Sequence, residues 1–350
     1  MGASGEGSSA AELNTSKVQS YDVSAMSFIL SLSCFSWESK SKTIGTKANL
    51  YPFDFSDLDK IHNNNIEISN QSNKKPVSFL DTMNNNNAEY LDYAGGLDED
   101  NLKNGFGILR LTDGSFFKGI FSHGHANGLG IFFHSKGDKY EGEFNKDEIC
   151  GYGEYHFQQI SVSSGLWTNS ELGGIGIEVW QNSSYFGEFE SGKKQGIGRY
   201  VWKNKAKYDG EWKDDSMNGY GIYYFPDGRK YLGEWKNNFM EGFGIYLWNN
   251  KKKYYGFFKQ GLKHGFGIFY LLNDKYLIGF WKDGKQNGFV KFINGKTELY
   301  GYFKDGKKEK FYETEDEFWN NFIDIESKKY KNFFEMDKNS IYNYINSIEE

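Results

Sequence analysis

The feature that most constrains this chain is a fourteen-residue pattern, Tyr/Phe-x-Gly-x-Trp/Phe-x-x-Gly-x-x-x-Gly-x-Gly, returning about every 23 residues from Tyr93 to roughly Lys310. Its sharpest copies are Phe117, Gly119, Phe121, Gly124, Gly128, Gly130; Tyr208, Gly210, Trp212, Gly219, Gly221; and Tyr254, Gly256, Phe258, Gly261, Gly265, Gly267. A fixed period of this length belongs to arrays of one supersecondary unit, stacked so that neighbours bury what no unit buries alone. Units start at Tyr93, Phe117, Tyr140, Ser163, Tyr185, Tyr208, Tyr231, Tyr254, Leu277 and Leu299, about ten in all, with spacings of 22 to 24.

Within Tyr231-Leu232-Gly233-Glu234-Trp235 the first, third and fifth side chains share one face of an extended strand, so Glu234 and Lys236 are expected to face water. Gly242-Phe243-Gly244-Ile245-Tyr246-Leu247-Trp248 reads as the returning strand, rich in aromatic and β-branched residues. Each unit is therefore expected to be a β-hairpin. Asp113-Gly114, Pro226-Asp227-Gly228 and Asn294-Gly295 stand where one unit hands over to the next, with the chemistry of tight turns. Glycine at the third, twelfth and fourteenth positions is expected to let a ring from a neighbouring hairpin lie on bare backbone.

A two-stranded ribbon is marginal in water. Stacking supplies the missing burial, since a ring that hides about 150–250 Å² contributes roughly 4–6 kcal/mol before entropy. Some units depart from the frame. The fourth starts at Ser163 and keeps only Gly165, Trp167, Gly174 and Gly176; the ninth has Val290 in place of its last glycine. The tenth, ending at Lys310, reads as a terminal half-unit, and the first carries one extra residue in its turn, Asp98 to Lys103.

The aromatic and glycine positions resemble the MORN repeat (membrane occupation and recognition nexus) over residues 93 to 310. The resemblance implies an elongated, slightly twisted ribbon of antiparallel hairpins, the all-β array of about ten units that the residues themselves suggest. It implies a non-enzymatic scaffold that links proteins in a cortical, membrane-skeleton or cytoskeletal assembly. A peripheral module for phosphoinositides or other anionic phospholipids is a second reading, and an axonemal or flagellar component a third. Protein partners and a homodimer are expected. The implied location is cytoplasmic and peripheral, at the cell cortex, an internal membrane or the cytoskeleton.

The formal charge of −6 hides an asymmetry. Lys+Arg against Asp+Glu stand at 7 to 11 in residues 1–92, 6 to 12 in 93–184, 24 to 14 in 185–312 and 4 to 10 in 313–350. Lys193, Lys194, Lys203, Lys205, Lys207, Lys251, Lys252 and Lys253 are the candidate surface for anionic lipid or acidic protein; the competing reading is lysine placed to blunt strand edges. Nucleic acid is disfavoured, because the aromatics occupy repeat-core positions instead of interleaving with lysines on an open face.

Residues 1–92 read as a largely disordered Ser/Asn-rich flank, with Asn tracts at Asn63–Asn65 and Asn84–Asn87. Ala25 to Phe35 has signal-peptide length, yet Glu6 and Glu12 precede it where basic residues are needed, and it is expected to dock on the first repeats. Glu6 also counts against myristoylation of Gly2, since the sixth position wants Ser or Thr. Residues 313–350 read as a helical segment that opens on a capping box at Thr314 and Glu317, with a second short helix from Ser340. Its aromatics Phe318, Trp319, Phe322, Phe333 and Phe334 are expected to cap the edge of the last hairpin or to bind a partner.

No catalytic, cofactor or metal constellation emerges. Gly105-Phe106-Gly107 belongs to the repeat and precedes a strand, unlike a dinucleotide loop. His123 and His125 read as solvated turn residues, and Cys34 and Cys150 make neither a disulfide framework nor a zinc site. Some family members carry a lipid-kinase or methyltransferase domain beside the repeats. The 92-residue flank and the 38-residue tail of this sequence resemble neither.

Overall fold

The computed structural model describes residues 89–158, 160–321, 330–336, 339–341 and 343, together with Phe79 and Thr82. Twenty strands run from β1 (Tyr90–Leu97) and β2 (Lys103–Leu111) to β19 (Thr297–Lys304) and β20 (Lys307–Tyr312), each antiparallel to the one before it. They form one open meander of ten hairpins. At about 4.8 Å per strand the sheet extends roughly 90 Å. The tenth unit, expected to be half formed, completes its hairpin, with a second strand of six residues.

The seventh unit shows how residues dictate this shape. In β13 (Lys230–Lys236) Tyr231, Gly233 and Trp235 are buried on one face, as period two requires. In β14 (Phe239–Leu247) Gly244 lies directly opposite Gly233. The Tyr231 ring lies across this glycine pair: a Cβ on Gly244 would come within 2.5 Å of it, and one on Gly233 within 2.6 Å of its hydroxyl. The ring thus belongs to the same hairpin, not to a neighbouring one as expected. Neighbours interlock through the fifth position, for Tyr231 meets both Trp235 (5.2 Å, 86°) and Phe258 of the next unit (5.0 Å, 81°) edge to face. The same zipper joins Tyr208 to Trp212 and Trp235, and Tyr254 to Phe258 and Trp281.

The twelfth-position glycine has a different cause. Gly242 has φ +60°, in the left-handed region, beside a bulge between Gly233 and Trp235. Turns with both central residues at positive φ fall inside the units, as at Asp214-Asp215 and Asn237-Asn238, which is the mirror-type geometry that suits strand twist. The hand-over turns at Gly114 and Gly228 carry one such residue each. Turns therefore alternate along the chain, with all within-unit turns on one long edge of the ribbon and all hand-over turns on the other.

The departures from the frame have packing explanations. In the fourth unit Leu172, on β8 (Glu171–Trp180), and Phe189 of the next unit close on the glycine pair Gly165 and Gly176 in place of the missing ring. In the ninth, Leu277 replaces the ring and Val290 sits opposite Gly279, with its side chain over that glycine. A hollow of about 150 Å³ remains between Leu277, Val290, Phe292, Leu299, Phe303 and Phe311.

Both flanks reach the array. Phe79 and Thr82 are helical and buried, and Phe79 packs against Phe117 (5.2 Å), Phe132 (5.2 Å) and Phe144 (6.5 Å) on the ring face. The disorder expected for the flank, and the docking of Ala25 to Phe35, concern residues outside the described ones. After β20, helix α1 (Glu315–Asn321) opens as the capping box predicts, with Glu317 N–H donating to Thr314 Oγ1 (3.1 Å). This helix and α2 (Lys331–Glu335) lie on the face opposite the rings. Phe318 meets Phe289 and Tyr300, and Phe334 meets Phe266 and Phe280. The described part of the segment covers a sheet face and reaches the last strand, where Phe318 meets Tyr312 and Glu317 pairs with Lys310.

Candidate functional site

The ring face is spent on folding: Tyr140, Tyr185, Tyr208, Tyr231 and Tyr254 are fully buried. Surface for recognition remains on the opposite face and along the two turn edges.

On the opposite face the fourth and thirteenth positions of successive units line up into one row across the strands. The pairings Phe106 with Ile120, Leu129 with Glu143, Tyr152 with Leu166, Ile175 with Glu188 and Phe243 with Phe257 are members of it. Where the fourth position is glutamate it is not simply solvated. Glu143, Glu188, Glu211 and Glu234 accept hydrogen bonds from the backbone N–H of Tyr152, Ile197, Tyr220 and Phe243, at 2.9 to 3.2 Å. Each carboxylate covers the left-handed glycine one residue earlier. Where the fourth position is apolar, Ile120, Leu166 and Phe257 cover the same glycine with carbon. The sequence signal for this role was the recurring glutamate after the third-position glycine.

The eight candidate lysines do not form one surface. Lys193 and Lys194 flank a within-unit turn, whereas Lys203, Lys205, Lys207 and Lys251–Lys253 lie at hand-over turns on the other edge. Nine residues of β10 (Lys193–Val201) separate the two groups, roughly 30 Å. Lys194 is also engaged, paired with Glu178 (3.3 Å) and Asp215 (3.5 Å) and lying over the Trp180 ring. Lys193 pairs with Asp214, and Lys207 lies over the Tyr224 ring. A more regular basic feature escaped the sequence reading. Lys213, Lys236, Lys259, Lys282 and Lys304, all at the sixth position, are exposed on the within-unit edge and carry no ion pair among the described residues. Equivalent positions are two strands apart, about 9.6 Å. Their signal was the 23-residue repetition of lysine itself.

Of the tail residues, Phe318 and Phe334 are fully buried against the array, Trp319 and Phe333 are partly buried, and Phe322 lies outside the described residues. A residue not singled out from sequence holds this segment down. Lys291, buried on the sheet, donates to the carbonyl of Phe334 (2.9 Å) at the end of α2 and pairs with Glu298 (2.8 Å).

His125 Nδ1 bonds the Asp147 carboxylate, which also accepts from the Ala126 N–H, so this histidine is part of a turn. Among the described residues no group of three or more His, Cys, Asp or Glu could hold a metal ion, and no helix is long and apolar enough to cross a membrane. Burial and the nearby Glu143 and Glu148 push the Cys150 thiol up, away from a reactive thiolate.

The MORN repeat signature matches at residues 99–116, 117–139, 140–159, 185–207, 208–228, 231–253, 254–271 and 278–289. The chain belongs to the MORN-repeat family. The signature passes over the unit at Ser163, where Leu172 stands in for the ring. MORN repeats are a non-catalytic module with a binding or scaffold role, and the exposed face and edges of the array are consistent with that. No curated protein sequence matches the chain significantly. Among solved structures, the TCP domain of SAS-4 from Drosophila melanogaster, in complex with a proline-rich motif of Ana2, is 10% identical; 45% of this chain and 88% of that one align at a TM-score of 0.30. The TCP10 domain of CPAP from Danio rerio is 8% identical, with 59% and 99% covered and a TM-score of 0.33. At these scores the likeness carries no argument about this MORN array's partners.

Proposed function

We propose that this protein is a non-enzymatic scaffold, a stiff β ribbon that links proteins in a cortical, membrane-skeleton or cytoskeletal assembly on the cytoplasmic side. One observation supports this above the others: the ring zipper consumes one face only, leaving both edges, and the opposite face up to where α1 and α2 cover it, available along the array. Such a repeat surface offers equivalent positions over a length no compact domain of this size provides. The test is affinity purification of the tagged protein from its own cells after mild crosslinking, with mass spectrometry and a parallel high-salt wash. A reproducible salt-resistant protein partner is expected. Recovery of membrane material alone, removed by salt, would sink the scaffold reading.

A second reading, binding to anionic lipid, is favoured by the lysine row Lys213, Lys236, Lys259, Lys282 and Lys304 and by Lys251–Lys253 on the other edge. Charge reversal at Lys251, Lys252 and Lys253 should abolish sedimentation with anionic liposomes at physiological salt. Undiminished sedimentation counts against that edge as the lipid site.

A further inference from the structure

The row of fourth and thirteenth positions is covered at one end and open at the other. Phe266 and Phe289, thirteenth-position residues of the eighth and ninth units, are 6% and 7% exposed because Tyr330, Phe333, Phe334 and Phe318 lie on them. The equivalent residues of the first four units, Phe106, Leu129, Tyr152 and Ile175, are 42% to 61% exposed, and Ile120 and Leu166 between them are 43% and 38%. The same register on the same face is thus core at one end and bare, largely apolar surface at the other, interrupted between Leu129 and Tyr152 by Glu143, and it is the kind of patch that marks an interaction site.

Charge says what fits the bare end. Residues 313–350 carry 4 basic and 10 acidic residues, and the described part of this segment lies on the half of the array that carries 24 basic against 14 acidic. Lys310 of β20 pairs with Glu317 of α1 across that seam (2.8 Å). The bare half has 6 basic against 12 acidic residues. Glu99, Asp100, Asp147, Glu148 and Glu171 line its within-unit turns, next to the row, against Lys103 and Lys146 on the same edge. A second copy's tail, being acidic, is repelled there, and residues 1–92 are acidic too, at 7 against 11. From Phe106 to Ile175 the row crosses six strand steps, about 29 Å. A helix of roughly 20 residues has that length, and its ~5.4 Å turn nearly matches the strand spacing.

We propose that the apolar row from Phe106 to Ile175 seats a basic amphipathic helix of a partner protein, just as the basic half of the array seats the chain's own acidic helical segment. This rests on the scaffold reading and specifies the partner's chemistry. The hydrophobic side of such a helix covers Phe106, Ile120, Leu129, Tyr152, Leu166 and Ile175, while its flanking lysines or arginines meet the acidic edge.

The test uses the full chain and two fluorescein-labelled 18-residue peptides, helical at period 3.6, one of leucine and lysine and one of leucine and glutamate. Fluorescence anisotropy is read at low and physiological salt. The basic peptide should bind and the acidic one should not. Leu129→Lys with Ile175→Lys, at exposed positions where folding tolerates change, should weaken binding at least tenfold and leave the circular dichroism spectrum intact. Equal binding of both peptides, or an unchanged affinity of the double variant, overturns the proposal. So does no binding to the full chain, which is also the result if residues 25–35 already occupy the row. If a crosslinked partner is still recovered by the double variant as by the wild type, this site is wrong while the scaffold reading stands. The scaffold reading fails only when no protein partner is recovered at all.

Discussion

The ninth unit is a natural double substitution, and it can be transplanted. Where other units pair a first-position ring with a fourteenth-position glycine, this one pairs Leu277 with Val290. Moving the solution to the seventh unit gives Tyr231→Leu, Gly244→Val and the double variant. Tyr231 is fully buried and its hydroxyl donates to the Glu234 carbonyl (3.0 Å), so Tyr231→Leu should cost about 2–5 kcal/mol through cavity and lost hydrogen bond. Gly244→Val drives a Cβ to within 2.5 Å of a ring that has nowhere to go, an overpacking cost of roughly 1–3 kcal/mol or more. Together the valine occupies space the ring has left, so the double variant should lose less than the sum by at least about 2 kcal/mol. Recovery will be incomplete, because the natural pair leaves the 150 Å³ hollow beside it. Equilibrium urea unfolding of the four proteins, followed by tryptophan fluorescence with Trp235 against Tyr231 as the local reporter, measures the coupling. Additivity within about 0.5 kcal/mol would refute the claim that the glycine exists for the ring.

Three further outcomes follow from the packing. Phe79→Ala should cost about 3–5 kcal/mol locally, and Phe144→Trp should restore much of it. The reason is that Trp167, Trp212 and Trp235 fill, against Tyr155, Tyr200 and Tyr223, the space Phe79 fills beside Phe132; melting temperatures of the two variants and their combination decide it. Lys291→Met should free the helical segment, raising amide exchange in residues 331–335 roughly ten- to a hundredfold for about 1.5–3 kcal/mol of charged hydrogen bonding, whereas unchanged exchange would mean the aromatic contacts suffice. Burial holds the phenols of Tyr185, Tyr208, Tyr231 and Tyr254 protonated well above their ordinary value. The folded state therefore keeps protons the unfolded chain releases, and stability is lost as pH rises past about 10; with exposed tyrosines such as Tyr152 ionising first, the last part of the tyrosinate absorbance should appear only together with loss of β-sheet dichroism, and ionisation of all 25 tyrosines with the sheet dichroism intact would contradict it.

What could be read from sequence divides by the range of the interaction. Alternation within Tyr231-Leu232-Gly233-Glu234-Trp235 placed rings and glycines on one face because side-chain direction depends only on neighbouring residues. The capping box at Thr314 and Glu317 was legible for the same reason. Alternation also sent Glu234 to water, and there it misled. The bulge after Gly233 brings the carboxylate onto the N–H of Phe243, a consequence of register between strands that spacing along one strand does not contain. Phe79 was invisible in a Ser/Asn-rich flank because its partners lie 38, 53 and 65 residues away. Proximity in sequence misled once more at Lys193 and Lys203, which one strand throws to opposite edges, while Lys213, Lys236 and Lys259, further apart in sequence, share one edge. In a meander with two strands per unit, residues one period apart are neighbours across the sheet and residues half a period apart lie on adjacent strands. A binding surface on such an array is therefore to be sought by comparing equivalent positions between units. By that comparison the bare row from Phe106 to Ile175 stands out, against the covered positions Phe266 and Phe289.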